Sequence, residues 1–290
     1  MYKAAMKIPK RIRPLVENGL VDEVIRPLMS GKEADVFVVR CGSEIRCAKI
    51  YKEAEKRAFK QAVTYQEGRK VRNSRRARAM EKGSKFGREQ QEEVWQSAEV
   101  SALYKLADIG VRVPKPYGCF DGVLLMELIT YGGEDVAPRL NDVTMTEAQA
   151  LVDHKTVMND VKLMLCAGLI HGDLSEFNVL IDDNGPVIID LPQAVDAAAN
   201  NNAQSMHRRD VENITNYYAQ FAPELRNTHY APEMWALFEA GDLQPNTELT
   251  GQFEEDTESA DVDIVLEEIK QAFIEEQNRL ERIREAETTS

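Results

Sequence analysis

The sequence predicts an α+β fold of two lobes, a small β-rich N-lobe followed by a mainly helical C-lobe. Three observations predict it. Short apolar runs, Val36-Phe37-Val38-Val39 and Cys47-Ala48-Lys49-Ile50-Tyr51, crowd the stretch from Val24 to Tyr51, punctuated by Gly31 and the Cys41-Gly42-Ser43 turn. Asp121-Gly122 then marks a second hairpin before Val123-Leu124-Leu125-Met126. From Thr146 the apolar period changes to the helical one, with Leu151, Met158, Val161 and Leu165 on one face.

In chain order, residues 24 to 51 read as an antiparallel hairpin or meander. The segment 52–88 carries Arg69, Lys70, Arg72, Arg75, Arg76, Arg78, Lys82, Lys85 and Arg88 and has few β-branched or aromatic residues after Tyr65, so it reads as a mobile basic loop with nascent helix. Glu89 to Asp108 reads as a helix with Trp95, Ala98, Ala102 and Leu106 at helical spacing and Gly110 closing it. Pro114 and Pro116 bracket an extended entry into Tyr117-Gly118-Cys119-Phe120, and a hinge is expected near Met126-Glu127. Thr146-Glu147 opens a long helix ending near Gly168. Asn178-Val179-Leu180-Ile181 and Val187-Ile188-Ile189 form a hairpin about Asp183-Asn184-Gly185, and a further helix is expected over 206–221. In the tail, Val262, Leu266, Ile269, Phe273, Leu280 and Ile283 come close to heptad spacing, which suits a helix packed on the domain or one that binds a partner. The expected division is an N-lobe over 1–127, a catalytic lobe over 128–240 and an acidic helical tail over 241–290.

A chain of 290 residues with 43% hydrophobic content suffices for one large domain or two modest ones. No run approaches the roughly 20 apolar residues of a membrane span, and the first residues lack an apolar signal core. The expectation is a soluble, cytoplasmic protein. Cys41, Cys47, Cys119 and Cys166 form no Cys-x-x-Cys pair, which argues against zinc and redox motifs and for buried free thiols in a reducing compartment. The net charge of −13 is uneven, basic in the first part and strongly acidic beyond about residue 240. That asymmetry suggests a basic contact surface and a solvated or masking tail.

The chemistry-bearing stretch is His171-Gly172-Asp173-Leu174-Ser175-Glu176-Phe177-Asn178, followed by Ile189-Asp190. Phosphoryl transfer from ATP needs a group that orients a nucleophilic hydroxyl, oxygen ligands for magnesium and a cation for the phosphates. Asp173 suits the first role, Asn178 can hold the metal, and Asp190 at the end of the next strand can bridge metal and phosphates. The cation is Lys49, because a lysine inside an apolar strand is costly to bury unpaired. Glu99, on the following helix, is its best carboxylate partner, with Glu92 and Glu93 nearer the helix start. Ser30 and Gly31 allow close backbone approach to phosphates, although the Walker spacing is missing. His154, His207 and His229 lack metal-like spacing and read as structural or surface residues.

These motifs resemble the RIO family of atypical protein kinases. Ser30-Gly31-Lys32-Glu33-Ala34-Asp35-Val36-Phe37 looks like that family's phosphate-binding loop, His171 to Asn178 like its catalytic loop, and Ile189-Asp190-Leu191-Pro192-Gln193 like its metal-binding loop. The match runs in order from about residue 24 to 220 and is nearest the first RIO subfamily. The resemblance implies a trimmed, two-lobed protein-kinase-like fold, with ATP and magnesium as nucleotide and metal. It also implies transfer of phosphate to protein serine, the chain's own included. Ser30, Gly31, Lys32 and Glu33 would face the nucleotide, Met126 would be the gatekeeper, and Glu127 and Ile129 would give backbone hydrogen bonds to adenine. His171 would orient the catalytic loop, and Asp210 would hydrogen-bond its backbone. Some members act as ATPase switches through a phosphorylated aspartate, here Asp190, and members act in ribosome maturation. The long basic segment 52–88 and the acidic tail depart from the family pattern and bear on the partner more than on the chemistry.

Two rivals share parts of the pattern. Aminoglycoside or choline phosphotransferases also use a His-Gly-Asp-x-x-x-x-Asn loop followed by Ile-Asp. The Ser-Gly-Lys-Glu-Ala loop, Pro192-Gln193 and the short helical half argue against them. The second is a nucleotide-gated protein that binds ribosomal RNA through residues 69–88, for which stacking aromatics are scarce.

Overall fold

The computed structural model describes residues 8–31, 34–52, 98–133 and 135–253. Met1–Gly251 form one compact unit, and Gln252–Ser290 a second, of which only residues 252 and 253 are described. The expected basic loop, the tail helix, Lys32, Glu33, Glu92 and Glu93 lie outside the described residues.

The N-lobe is a five-stranded antiparallel sheet ordered β1-β2-β3-β5-β4. Its strands are β1 (Glu23–Ser30), β2 (Ala34–Cys41), β3 (Glu44–Tyr51), β4 (Pro116–Phe120) and β5 (Val123–Glu127). Gly42, at φ 63, turns β2 into β3. Asp121 (φ 49) and Gly122 (φ 74) turn β4 into β5; both are left-handed, as the twist of a two-residue hairpin demands. One face packs under a short helix, α1 (Arg13–Glu17), which the sequence reading missed. Ile12 and Leu15 there bury against Val24, Val39, Ala48, Ile50, Val123 and Leu125. Between β3 and β4 runs helix α2, described over residues 98–108, with Leu103 and Leu106 buried and Gly110 (φ 84) ending it.

After β5 come a small ladder of β6 (Thr130–Tyr131) with β7 (Asp135–Val136) and a 3-10 turn at Leu140–Asp142. The C-lobe is built on helix α3 (Glu147–Cys166), started by Thr146, whose hydroxyl accepts from the Gln149 N–H at 3.2 Å. It buries Val157, Met158, Val161, Met164 and Leu165 together with Asp153, His154, Asp160 and Lys162, so it is enclosed on more than one side. Leu151 is only half-buried. Strand β8 (Leu169–Ile170) pairs with β11 (Val195–Asp196), and β9 (Val179–Asp182) with β10 (Gly185–Ile188). Helices α4 (Ala203–Tyr218) and α5 (Tyr230–Ala240) complete the core with Ile214, Tyr218, Met234 and Trp235.

Two expectations are corrected. Helix α4 spans Ala203–Tyr218 rather than about 206–221; Ala219 caps it, and Ala222, restricted by the following Pro223, lies outside helical geometry (φ −128, ψ 83). Of the four free thiols only Cys47 is buried; Cys119 is exposed, since the open edge strand β4 leaves it on the outside. Among the described residues no helix is long and apolar enough to cross a membrane, and no His/Cys/Asp/Glu cluster could hold a metal by itself.

Candidate active site

Lys49 sits in β3, flanked by Val36 of β2 and Leu124 of β5. The central strand position leaves it only 8% exposed, so its ammonium must be satisfied by protein groups. Its Nζ lies 2.6 Å from Glu99 Oε1 of α2 and 2.7 Å from Asp190 Oδ1. Burial alone would depress the lysine, but the two carboxylates outweigh it and hold its pKa above the ordinary value. Burial would likewise raise Asp190, but the Lys49 ammonium overrides it and keeps the carboxyl below the usual range. The two carboxylates differ in access. The Glu99 side chain is 5% exposed and that of Asp190 46%. Asp190 also holds a left-handed backbone (φ 67), a conformation that aspartate tolerates better than most residues and that aims its carboxylate at the lysine.

The catalytic-loop candidate runs from the end of β8 to the start of β9. Gly172 turns at φ 84. Asp210, buried in the middle of α4, accepts from the Gly172 N–H at 2.7 Å and the Leu174 N–H at 2.9 Å. Arg209 donates to the Gly172 carbonyl, and Asn213 Nδ2 donates to the Leu174 carbonyl at 3.1 Å. Thus α4 grips the loop backbone on both sides of Asp173. His171 Nε2 donates to the Ile189 carbonyl at 3.0 Å, and its Nδ1 accepts from the Asp173 N–H at 3.3 Å. The carbonyl can only accept, which assigns the proton to Nε2. Asn178 Nδ2 donates to the Asp173 carbonyl at 2.7 Å, and the Ile189 N–H donates to the Asn178 carbonyl at 2.9 Å. The loop carrying Asp173 and Asn178 is therefore tied to the segment carrying Asp190. Asp173 is itself exposed at the mouth, and its pKa is raised by partial burial, with His171 and Arg209 opposing. Burial pushes Asp210 up to about 6 despite its two N–H donors.

At the end of β1, the Ser30 hydroxyl donates to Asp35 Oδ1 at 2.5 Å, and the Gly31 N–H donates to the Ala34 carbonyl at 2.9 Å. Lys52, which the sequence reading did not single out, clamps this turn. Its Nζ donates to the Gly31 carbonyl at 2.6 Å and to Ser30 Oγ at 3.2 Å, and lies 3.0 Å from Asp35 Oδ1. A lysine just past a strand end carries no motif that would mark it. In the hinge, Met126 is half-buried and Glu127 exposed. The Glu127 N–H donates to the Lys115 carbonyl at 2.9 Å, while its carboxylate accepts from the Lys115 N–H at 3.0 Å. Ile129 packs with Ala137 and Val187, and its carbonyl accepts from the Ala137 N–H at 3.0 Å.

A small antiparallel lobe contributing a buried lysine–glutamate pair, set against a helical lobe contributing the aspartates, defines a protein-kinase-like fold. Comparison with known proteins narrows the class. The family model of the RIO domain matches residues 35–231, and the chain belongs to that family. It is 35% identical to the RIO-type serine/threonine-protein kinase Rio1 of Haloferax volcanii, over 71% of this chain and 67% of that protein. Identity to the RIO-type serine/threonine-protein kinase Rio1 of Methanocaldococcus jannaschii is 32%, over 70% of this chain and 66% of the relative. For the human serine/threonine-protein kinase RIO1 it is 29%, over 70% of this chain and 34% of the relative. The matched part thus spans about two thirds of the archaeal relatives and about a third of the human one.

Proposed function

We propose that the chain is a RIO-type serine/threonine protein kinase that transfers the γ-phosphate of ATP to serine hydroxyls of proteins, its own included. One observation carries the reading: Lys49 of the sheet is bonded at once to Glu99 and to Asp190, so a phosphate-sized anion arriving beside Asp190 meets a positioned ammonium. Asp173 acts as the group that orients the incoming hydroxyl and takes its proton as the hydroxyl oxygen bonds to phosphorus and the bond to ADP breaks. Its raised pKa suits proton acceptance, and its exposure suits access by a protein substrate. The division we propose places the nucleotide-facing lobe within 1–127 and the catalytic lobe within 128–240. Adenine bonding falls to the Glu127 carbonyl and the Ile129 N–H, since the other backbone groups of those residues are engaged.

The donor set fits magnesium. Asp190 bonds Lys49 through Oδ1, and Asn178 bonds the loop through Nδ2, so a second carboxylate oxygen and an amide oxygen remain as hard ligands among the described residues. Bound there, the ion would supply charge neutralisation of the triphosphate.

The deciding experiment is incubation of the full chain with γ-labelled ATP and magnesium, with mass spectrometry of the protein. Label on serine supports the kinase reading. Label on small alcohols or amines, or no turnover at all, refutes it. For the basic segment 69–88 we propose an RNA or ribosomal contact, resting on its charge alone. Alanine replacement of its arginines should weaken RNA retention on filters, and unchanged retention rejects the contact.

A further inference from the structure

We propose that Arg139 is a phosphate-binding residue of the site, its guanidinium contacting the terminal phosphates of the nucleotide. The inference rests on the ATP reading above and adds a residue to it. Arg139 has no motif around it; it lies between Pro138 and the 3-10 turn, in a stretch with no strand or helix period.

Its backbone is pinned to the catalytic side of the cleft. Arg139 forms a β-bridge with Leu180, two residues beyond Asn178. The preceding carbonyl, of Pro138, accepts from the Ile181 N–H at 2.9 Å, and the carbonyl of Arg139 accepts from the Asp142 N–H at 2.9 Å. From this base the side chain reaches across to the other lobe. Nη2 lies 2.8 Å from the sulfur of Met29, the residue before Ser30 at the end of β1. The guanidinium thus stands between the phosphate-loop turn and the catalytic lobe.

Its present partner is a poor match. A guanidinium offers five N–H donors in a planar fork, whereas a thioether is a weak acceptor. Among the described residues Met29 is the only hydrogen-bond acceptor that Arg139 engages. A half-buried cation so placed is suited to an anion with several oxygens, and the fork of arginine suits phosphate. Lys49 meets the nucleotide from inside the cleft and Arg139 from its mouth, where the terminal phosphates would emerge between Ser30 and Asp190.

The test compares magnesium-bound ATP and adenosine for binding to the full chain by competition with a fluorescent ADP analogue. It uses the wild type, Arg139→Ala, Arg139→Lys and Met29→Leu. Losing a charge-assisted contact should weaken ATP binding about tenfold or more in Arg139→Ala. Adenosine, which lacks phosphates, should bind as to the wild type. Arg139→Lys keeps charge and stem and should recover part of the loss. Met29→Leu removes the sulfur and should leave ATP binding within about twofold, because Met29 is not the partner in the bound state. ATP binding within about twofold of wild type in Arg139→Ala overturns the inference and leaves the kinase reading intact. So does an equal loss for ATP and adenosine, which marks a structural role, and should Arg139→Ala not fold, Arg139→Lys decides: unaltered adenosine binding with ATP weakened supports the inference, and ATP binding at the wild-type level overturns it. Absence of ATP binding in the wild type overturns both.

Discussion

Replacing Lys49 by Met tests the ion triad through stability rather than activity, and the burial of its two partners sets the size of the effect. The Glu99 side chain is 5% exposed, so removing the ammonium strands a carboxylate in an apolar interior. Breaking a buried pair from one side costs about 3–5 kcal/mol. Asp190, at 46% side-chain exposure, is hydrated and adds little. For a domain of this size each kcal/mol lowers Tm by about 2–4 °C, so Lys49→Met should lower it by roughly 6–20 °C at pH 7.5. The pH dependence has a definite sign. Wild type loses the contribution of the depressed Asp190 carboxyl only in stronger acid, as the pH drops below the ordinary carboxylate range toward its folded value. Lys49→Met with Glu99→Leu removes both buried charges and should restore most of the Tm while phosphotransfer stays absent. Calorimetry across pH 5 to 8 with a parallel label-transfer assay reads both quantities. A single variant as stable as wild type, or a double variant no more stable than the single, would show that the triad is not the buried network described.

Asp173→Asn and Asp190→Asn should each lower phosphate transfer by at least about a hundredfold in a label-transfer assay, with circular dichroism unchanged; near-normal rates in either remove that residue from the chemistry. Chelation of divalent ions should abolish transfer and readdition of magnesium restore it, and turnover that persists in chelator contradicts the ligand set at Asn178 and Asp190. Asp210, with its pKa near 6, should impose an acid limb on kcat at about that pH, because protonation weakens the anchors of the Gly172 and Leu174 N–H groups. The sign for stability is opposite: a carboxyl with a raised folded pKa binds its proton more readily in the fold, so this group does not destabilise the protein between pH 7 and 5. Asp210→Asn cannot titrate and should flatten the limb at a lower plateau, whereas a limb retained in that variant assigns it to another group.

Legibility in the sequence followed the strength of the chemical constraint. Asp173, Asn178 and Asp190 stood out as candidates because phosphoryl transfer restricts residue type and spacing at once. Lys49 was readable because a lysine in an apolar strand demands a carboxylate, and Glu99 was the candidate with helical spacing toward the core. The β4–β5 hairpin was readable from Asp121-Gly122, since few other pairs accept two left-handed residues. Arg139 and Lys52, both half-buried, carried no such constraint, because cations at strand ends and in links are ordinary. The ladder of β8 with β11 has two residues on each side, too few to show a period, and its pairing joins positions far apart in the chain. Helix α5 has Gly241 (φ 77) as its stop but no side-chain cap at His229, and its start went unseen for that reason.

On the ATP reading proposed above, the unequal burial of Glu99 and Asp190 would let one lysine hold both and still serve a nucleotide. A carboxylate as enclosed as Glu99 cannot leave without an uncompensated charge on one side of the break, so it is a permanent anchor for the ammonium. Asp190 is half open to solvent and tied by one oxygen, and it can exchange its lysine bond for another cation at small cost. The lysine is thereby held in place by the inner acid and made available by the outer one. The loop beside it is the less adaptable partner, since Asp210, Arg209 and Asn213 of α4 grip its backbone around Asp173 and His171 joins it to Ile189. On the ATP reading proposed above, adjustment on nucleotide binding would fall to the side chains of Asp190 and Arg139, while these bonds keep the loop backbone around Asp173 fixed.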